Sequence, residues 1–338
     1  MDTQPSHAWQ RMYPPLQAHA QGWLEVGDGH QVFWEACGNP LGAPALFVHG
    51  GPGAGCTSDD RRWFDPRHYR IVLLDQRGAG RSLPSGRLVA NDTEHLLCDM
   101  EALRRHLRIE RWLLFGGSWG ATLALAYAER HPQRVRALVL RGVFTATVRE
   151  RRWLYTVAGV AALHPRAWRR FTATIPLSQR DDLLGAFAAQ LHCGDAATER
   201  AAAEAWLQWE QDLMDLEAPA APAPNRQRLG DDGAAPAIAL AAARIGVHFA
   251  RHNHFLDDAQ LLAHAALLRT VPGTIVQGAR DLVTPPAAAR ALHCAWPGSR
   301  LLQLDAAGHA SSHPAMAQQL IAATDAFAMT ATTPGDPR

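Results

Sequence analysis

Residues 112–121 read Trp-Leu-Leu-Phe-Gly-Gly-Ser-Trp-Gly-Ala, and the fold is decided by this stretch. The four apolar residues at its start predict a short buried strand, and the Ala/Leu-rich residues 121–130 predict a helix. A tight turn between them would hold Ser118 in a strained backbone conformation. Gly116 and Gly120 lack side chains, so the strand and the helix can approach each other closely.

A Gly-x-Ser-x-Gly turn between a strand and a helix is typical of the nucleophile elbow of α/β-hydrolases. The elbow places the serine hydroxyl above the sheet at a helix N-terminus, where negative charge is favoured. The same five residues also occur in ordinary small-residue turns, so the strand–turn–helix context decides between the two interpretations. We therefore expect Ser118 to be a nucleophile.

A serine nucleophile needs a general base and a carboxylate that orients the base, and in this fold they follow in the order Asp, then His. Asp281 lies shortly after the predicted strand 274–277, and His309 lies shortly after the predicted strand 301–304. Both lie at the carboxyl ends of predicted strands, where open α/β sheets bind ligands. Asp305 is a competing acid that we expect to end its strand. Asp281 and His309 are therefore the predicted partners of the serine.

Residues 49–53 read His-Gly-Gly-Pro-Gly directly after the apolar run 45–48. A glycine-rich loop at this place can direct a backbone N–H at a developing oxyanion, and the second donor is expected to be the backbone N–H of Trp119. An ordinary Gly/Pro turn and a phosphate-binding loop are the alternatives, but no Gly-Lys-Ser/Thr follows.

Strand and helix patterns alternate early in the chain, stop, and return near its end. The early runs predict a hairpin at 23–36, strands at 45–48, 71–74, 112–115 and 137–140, and helices at 94–107 and 121–130. Only helical spacing follows, with helices at 149–160, 181–192, 196–216 and 235–252 and a Pro/Ala-rich loop at 217–224. Strands then return at 274–277 and 301–304, before a helix at 314–327.

This order predicts an α/β-hydrolase fold, a mostly parallel sheet with an inserted all-helical cap. We expect residues 1–146 to form the first part of the core, 147–264 the cap and 265–329 the second part of the core. The polar residues 330–338 contain two prolines and are predicted to be a disordered tail.

The composition excludes several functions. The 338 residues include 33 basic and 32 acidic side chains, for a formal charge of +1, which argues against nucleic acid or an acidic membrane as a partner. Every basic residue is arginine, so no Schiff-base lysine and no P-loop lysine is available.

The five cysteines are scattered without Cys-x-x-Cys spacing, so neither a disulfide framework nor a zinc site is expected. The N-terminal residues lack the apolar stretch of a signal peptide, and no run approaches the ~18 apolar residues of a membrane helix. We expect a cytoplasmic protein that needs no cofactor and no metal. The oligomeric state does not follow from the sequence.

Several motifs together carry a resemblance to a known family. The loop 49–53, the residues 75–82 that read Asp-Gln-Arg-Gly-Ala-Gly-Arg-Ser, and the elbow 116–120 resemble the proline iminopeptidase family of serine peptidases. Residues 91–94, 140–144 and 153–155 also resemble that family, so the likeness spans nearly the whole chain.

The resemblance implies an enzyme that releases N-terminal proline from peptides without a metal. It implies that Ser118, Asp281 and His309 form the triad. It also implies that backbone N–H groups of Gly51 and Trp119 hold the oxyanion.

Residues 206–210, Trp-Leu-Gln-Trp-Glu, resemble the family motif that carries a carboxylate for the free amino group of the substrate, which makes Glu210 the candidate. A partly buried carboxylate among aromatic rings would pair with a prolyl ammonium and reject blocked substrates. Phe144 and Tyr155 resemble pocket residues that contact the pyrrolidine ring. A solvated glutamate and plain packing are the alternatives for these three positions.

One position departs from the family. Residues 243–246 read Ala-Arg-Ile-Gly, where the family usually has a second amine-binding Glu in place of Gly246. One charged contact fewer weakens amine binding by about 1.5–3 kcal/mol. Glu204 and Asp212 are near Glu210 in the sequence and are candidates to replace the missing carboxylate.

We therefore predict a serine aminopeptidase acting on a peptide or small-molecule acyl substrate. An esterase or amidase with a different acyl specificity is the alternative that Gly246 favours. A non-catalytic ligand-binding protein on the same fold is the alternative from another class, and the complete set of Ser, Asp, His and glycine-rich loop argues against it.

Overall fold

The computed structural model describes residues 12–217 and 235–330. Within these ranges the strands are β1 (Ala18–Glu25), β2 (Gln31–Gly38), β3 (Ala43–Val48), β4 (Tyr69–Leu74), β5 (Trp112–Ser118), β6 (Val135–Val143), β7 (Gly273–Gly278) and β8 (Ser299–Leu304). The helices are α1 (Thr93–His106), α2 (Trp119–Arg130), α3 (Val148–Tyr155), α4 (Pro165–Phe171), α5 (Leu183–Gln190), α6 (Ala196–Glu217), α7 (Ala235–Arg251), α8 (Gln260–His264), α9 (Ala287–Ala295) and α10 (Pro314–Thr330).

All eight of these strands form one sheet, in the order β1-β2-β4-β3-β5-β6-β7-β8. β1 pairs antiparallel with β2, and β2 pairs antiparallel with β4, whereas the strands from β4 to β8 pair in parallel. The carboxyl ends of the parallel strands therefore lie at one edge, where an open α/β sheet places its ligands. The predicted α/β-hydrolase fold and its opening hairpin are confirmed.

The sheet has a hydrophobic core on each face. All seven residues of β5 are buried, and its neighbouring side chains alternate between the two cores: Leu114 belongs to one, Leu113 and Phe115 to the other. Helices α1, α2 and α9 pack in the first core and α10 packs in the second. This burial on both faces explains why the parallel strands read as unbroken apolar runs.

The helices between β6 and β7 bury a third core, which is rich in aromatic rings. Phe171 of α4 stacks on Phe187 of α5 at 4.8 Å and on Trp209 of α6 at 5.0 Å, measured between ring centroids. Helix α7 joins this core to the sheet, because its Val247 packs with the cap while its Phe249 packs with the sheet core.

Three helices, α4, α8 and α9, were not predicted from the sequence, since each has nine residues or fewer and offers a short pattern. The prediction of a helix over 149–160 was wrong beyond Tyr155. The chain turns back there, since the N–H of Gly159 donates to the carbonyl of Thr156 at 3.1 Å and a Cβ at residue 159 would collide with the backbone of Trp153.

The predicted loop at 217–224 and the predicted tail at 330–338 lie, apart from Glu217 and Thr330, outside the described residues. In the part of the chain that the structure describes, no helix combines the length and the apolarity that crossing a bilayer requires.

Candidate active site

Ser118 lies at the sharp turn between β5 and α2. Its backbone has φ 56° and ψ −127°, a conformation that non-glycine residues rarely adopt. A Cβ at Gly116 would collide with the carbonyl oxygen of Gly120, and a Cβ at Gly120 would collide with that of Val48. The two glycines therefore allow the close approach on which the predicted elbow depends.

Asp281 and His309 lie on the loops after β7 and β8, and the structure brings them into contact. His309 Nδ1 is 2.9 Å from Asp281 Oδ2, and both side chains are almost completely buried. Asp281 also accepts hydrogen bonds from the backbone N–H of Thr284 at 2.7 Å and from its hydroxyl at 2.8 Å. These bonds fix the carboxylate, so it can orient the imidazole.

Gln277 at the end of β7 also holds this carboxylate, and sequence reasoning missed it. Its Nε2 donates to Asp281 Oδ2 at 3.1 Å, while its Oε1 accepts from the backbone N–H of Val143 at 2.9 Å. The Gln277 side chain thereby links the end of β6 to Asp281. A glutamine inside an otherwise apolar strand run was the available signal.

Arg141 is the second residue that was missed. Its Nη1 is 3.0 Å from His309 Nε2 and donates to the His309 carbonyl at 2.9 Å. Nε2 of a neutral imidazole has one lone pair. The nitrogen can accept the proton of Ser118 only after this contact with Arg141 is released. An arginine inside the apolar run of β6 was the signal for it.

The glycine-rich loop lies beside the nucleophile. A Cβ built at Gly50 would be 3.7 Å from the Cβ of Ser118. Gly51 has φ +112°, and a Cβ there would be 2.7 Å from the backbone nitrogen of Gly53. Only glycine fits this conformation without strain.

A buried chain of hydrogen bonds connects this loop to the residue after the nucleophile. The indole Nε1 of Trp119 donates to Gln76 Oε1 at 2.9 Å, and Gln76 Nε2 donates to the carbonyl of His49, also at 2.9 Å. The backbone N–H of Gln76 donates to His49 Nε2 at 3.0 Å, and burial lowers the pKa of His49, which keeps that nitrogen an acceptor. The network thus connects the side chain of Trp119 to His49, at the start of the glycine-rich loop.

The stretch 75–82, which begins Asp-Gln-Arg-Gly, forms further buried hydrogen bonds and ion pairs next to this network. Asp75 is fully buried and accepts hydrogen bonds from the backbone N–H of Cys56 at 2.8 Å and from Arg81 Nε at 2.7 Å. Arg81 also reaches Glu35 at 2.8 Å, and Glu35 is paired with Arg61. The motif therefore has a structural role beside the site.

One pocket contains all of the predicted oxyanion and substrate residues. Ser118, Gly51, Trp119 and Phe144 belong to the strands and loops of the sheet, whereas Tyr155 and Glu210 belong to the helices between β6 and β7. The carboxylate oxygen Oε1 of Glu210 is 3.9 Å from His309 Nε2. The structure therefore places the predicted nucleophile and the predicted amine-binding acid in one cavity.

Aromatic rings make up much of the pocket lining. Tyr155 stacks on Trp206 with ring centroids 5.1 Å apart and an angle of 17°, and burial raises the pKa of Tyr155. Phe144 meets the ring of His254 edge-on at 4.8 Å. Glu210 keeps 44% of its side chain exposed. An apolar ring carrying one positive charge fits such a lining.

Gly246 also lines the pocket, and among the described residues the lining contains no acid besides Glu210. A Cβ at residue 246 would be 2.7 Å from Trp206 Nε1. Asp212 forms an ion pair with Arg170 at 2.8 Å, and both line a different groove of the cap together with Glu204. Among the described residues, Glu210 is the acid that lines the pocket.

This chain is similar in sequence to known proteins. A family described as alpha/beta hydrolase fold matches residues 44–314. A proline iminopeptidase of Xylella fastidiosa is 44% identical over 94% of this chain and 99% of its own, and one of Arabidopsis thaliana is 42% identical over 93% and 81%.

Among solved structures, a proline iminopeptidase of Mycobacterium smegmatis superposes with a TM-score of 0.59 at 18% identity, covering 92% of this chain and 100% of that chain. This likeness bears on the fold alone, whereas the two sequence relatives match across nearly the whole chain. The chain belongs to the proline iminopeptidase family of α/β-hydrolases.

Proposed function

We propose that this protein is a serine aminopeptidase that releases N-terminal proline from peptides through an acyl-enzyme on Ser118. Its membership of the proline iminopeptidase family supports the proposal. The single observation that carries it is the shared pocket of Ser118 and Glu210, with Glu210 Oε1 3.9 Å from His309 Nε2. Ser118, the proposed nucleophile, and Glu210, the proposed anion for a free amine, line the same cavity.

In the proposed reaction, Ser118 Oγ attacks the carbonyl carbon of the N-terminal residue while Nε2 of His309 takes its proton. Asp281 stabilises the imidazolium through Nδ1. Because Arg141 contacts the same Nε2 at 3.0 Å, its guanidinium moves aside before this transfer. The backbone N–H groups of Gly51 and Trp119 hold the oxyanion of the tetrahedral intermediate.

Collapse of that intermediate breaks the peptide bond, and His309 returns the proton to the leaving amine. Water then attacks the acyl-enzyme with His309 again acting as base, which releases proline and restores Ser118. The N–H groups of Gly51 and Trp119 serve both steps, since each passes through a tetrahedral oxyanion.

Glu210 is the proposed partner of the substrate ammonium. A charge-assisted hydrogen bond of this kind favours a free amine over an acylated one. Phe144 and Tyr155 are the proposed contacts of the pyrrolidine ring, since both line the pocket.

A substrate panel tests the proposal directly. The values of kcat/KM for the p-nitroanilides of proline, alanine and N-acetyl-proline are compared with that for a p-nitrophenyl acyl ester, with Ser118→Ala as the blank. We expect a strong preference for free proline. Little prolyl activity together with ester cleavage would contradict it.

Gly246 favours a second candidate, an esterase or amidase with another acyl specificity, because its place in the pocket carries no carboxylate. The same panel separates the two, since such an enzyme would accept the N-acetylated or the ester substrate. Absence of reaction with a fluorophosphonate would favour the non-catalytic alternative instead. The proposed site of action is the cytoplasm, and the division into a core and a cap at residues 147–264 remains part of the same proposal.

A further inference from the structure

Arg141 contacts the base of the proposed triad, yet the reaction above gives its guanidinium no function beyond moving aside. Its Nη1 is 3.0 Å from His309 Nε2 and donates to the His309 carbonyl at 2.9 Å. Nε2 is the nitrogen that accepts the proton of the serine nucleophile. A positive charge therefore lies directly against the reacting atom of the base.

The fold holds this guanidinium between the nucleophile elbow and the loop that carries His309. Arg141 lies opposite Gly117 in the pairing of β5 with β6, and a Cβ at Gly117 would be 2.5 Å from Nη2 of Arg141 and 2.9 Å from its Nε. A Cβ at Gly142 would be 2.9 Å from His309 Nδ1. Both glycines thus leave the space that the guanidinium and the imidazole occupy.

The contact fixes the protonation state of His309. A guanidinium stays protonated and only donates, so the Nε2 that faces it is the acceptor nitrogen of the ring. The ring proton then lies on Nδ1, where Asp281 Oδ2 accepts it at 2.9 Å. This is the neutral tautomer that a general base needs.

Protonation of Nε2 would break this arrangement. The nitrogen would become a donor, and a second positive charge would lie beside the guanidinium. Two acids also face the ring: Asp281 at Nδ1, and Glu210, whose Oε1 is 3.9 Å from Nε2. A nearby negative charge favours the imidazolium and a nearby positive charge disfavours it, so Arg141 opposes both acids.

We propose that Arg141 is a positioning residue for His309, which keeps the imidazole of the free enzyme neutral, with Nε2 unprotonated, as the pH falls. The contact is released before proton transfer, so Arg141 does not compete with Ser118 at that step. The assignment rests on the proposed triad and extends its activity toward acidic pH.

The test follows the reactivity of Ser118 against pH in two ways. Labelling by a fluorophosphonate needs the neutral base but no amine contact, and kcat/KM for proline p-nitroanilide reports the same base in the free enzyme. Arg141→Met removes the charge, so the acid limb of both profiles should move to higher pH by at least about 0.5 unit. This shift lowers both rates about threefold on the acid limb, whereas the alkaline plateau should fall by less than about twofold.

Three more variants complete the test. Arg141→Gln also removes the charge and gives the same reading if the methionine variant does not fold. Arg141→Lys keeps a positive charge on this strand position, so its acid limb should lie closer to that of the wild type than to that of Arg141→Met. The matched control is Arg136→Met, at the other end of β6 and about 16 Å along the strand, where salt screens the charge and neither profile should change.

An acid limb that moves less than about 0.5 unit in both Arg141→Met and Arg141→Gln overturns the proposal, and so does an equal loss at every pH. A lysine variant displaced as far as Arg141→Met also overturns it, because the charge would then not be the cause. A wild type that is labelled on Ser118 but hydrolyses no prolyl substrate overturns the proposed function, and the labelling profiles alone then decide on Arg141.

Discussion

The two sides of the active-site pocket are built in different ways. On the core side, buried polar groups are hydrogen-bonded to one another: Asp281 alone accepts bonds from His309, Thr284 and Gln277. On the cap side, ring packing dominates, as in the stack of Tyr155 on Trp206, and Glu210, the acid that the described lining contains, is 44% exposed.

The difference separates the two tasks of the site. Hydrogen bonds in a buried network fix atoms within tenths of an ångström, which proton transfer and oxyanion stabilisation require. Aromatic walls select by shape and apolar area, and they tolerate changes of substrate. Changes on the core side should therefore abolish the chemistry or the fold, whereas changes on the cap side should alter substrate preference.

The largest effect is expected from Ser118→Ala. Removing the nucleophile should lower kcat for proline p-nitroanilide by at least about 10⁴-fold, since the remaining groups only bind and polarise the substrate. Steady-state kinetics measures the loss. Thermal unfolding within a few degrees of the wild type would exclude misfolding, and retention of more than about 1% of the activity would contradict the role of Ser118.

The next largest effect is expected from breaking the buried ion pairs of Arg81. Arg81→Met leaves the buried carboxylates of Asp75 and Glu35 short of a partner and should lower the free energy of unfolding by about 3–5 kcal/mol, measured in urea. Arg67→Met is the matched control, because Arg67 pairs with Asp65 while 80% exposed, and it should cost less than about 1 kcal/mol. Equal losses of unfolding free energy in the two variants would show that burial of the ion pairs does not cause the loss in Arg81→Met.

On the cap side, Glu210→Gln should change selectivity more than chemistry. Loss of the charged contact should reduce kcat/KM for free proline p-nitroanilide about 10- to 100-fold, with little change for an N-acetylated or ester substrate. Glu204→Gln on the same helix is the control, since Glu204 is exposed and lines another groove. A parallel fall on all substrates would assign Glu210 to the chemistry through its contact with His309.

The last prediction concerns the pH dependence of stability and an exception on the core side. Glu129 in α2 is buried, neither carboxylate oxygen has a hydrogen-bond partner among the described residues, and burial raises its pKa to about 9 from an ordinary value of 4.5. The folded protein then keeps this proton at pH values where the unfolded chain has lost it. Stability should therefore fall as the pH rises between these two values, by up to about 1.4 kcal/mol per pH unit.

Glu129→Gln removes this ionisation, so its stability should fall less steeply as the pH rises. The difference in unfolding temperature between this variant and the wild type should grow from pH 5 to pH 8 in the variant's favour. Glu110→Gln, at an exposed position, should follow the wild type at every pH. A constant difference for Glu129→Gln would contradict the raised pKa.

The sequence predicted the parts of the molecule that depend on local patterns. The elbow around Ser118, the apolar parallel strands and the positions of Asp281 and His309 after their strands follow from short-range composition and order. The resemblance of residues 49–53, 75–82 and 116–120 to the proline iminopeptidase family indicated the family membership.

Contacts between distant residues could not be predicted in this way. Arg141 and His309 are 168 positions apart and meet only because β6 lies beside β7, which lies beside β8. Gln277 and His254 likewise acquire their contacts from the folded sheet and cap. The short helix α4 was missed because its stability comes from packing of Phe171 in the cap core rather than from a long periodic pattern.

The most direct test of the central claim asks whether modification of Ser118 accounts for the loss of prolyl hydrolysis. The wild type is titrated with a fluorophosphonate, the modified residue is located by peptide mass spectrometry, and the remaining prolyl p-nitroanilide hydrolysis is measured at each step. We predict one adduct, on Ser118, with activity lost in proportion to labelling. Prolyl hydrolysis that survives complete labelling, or an adduct on another residue that accounts for the loss, would contradict the account.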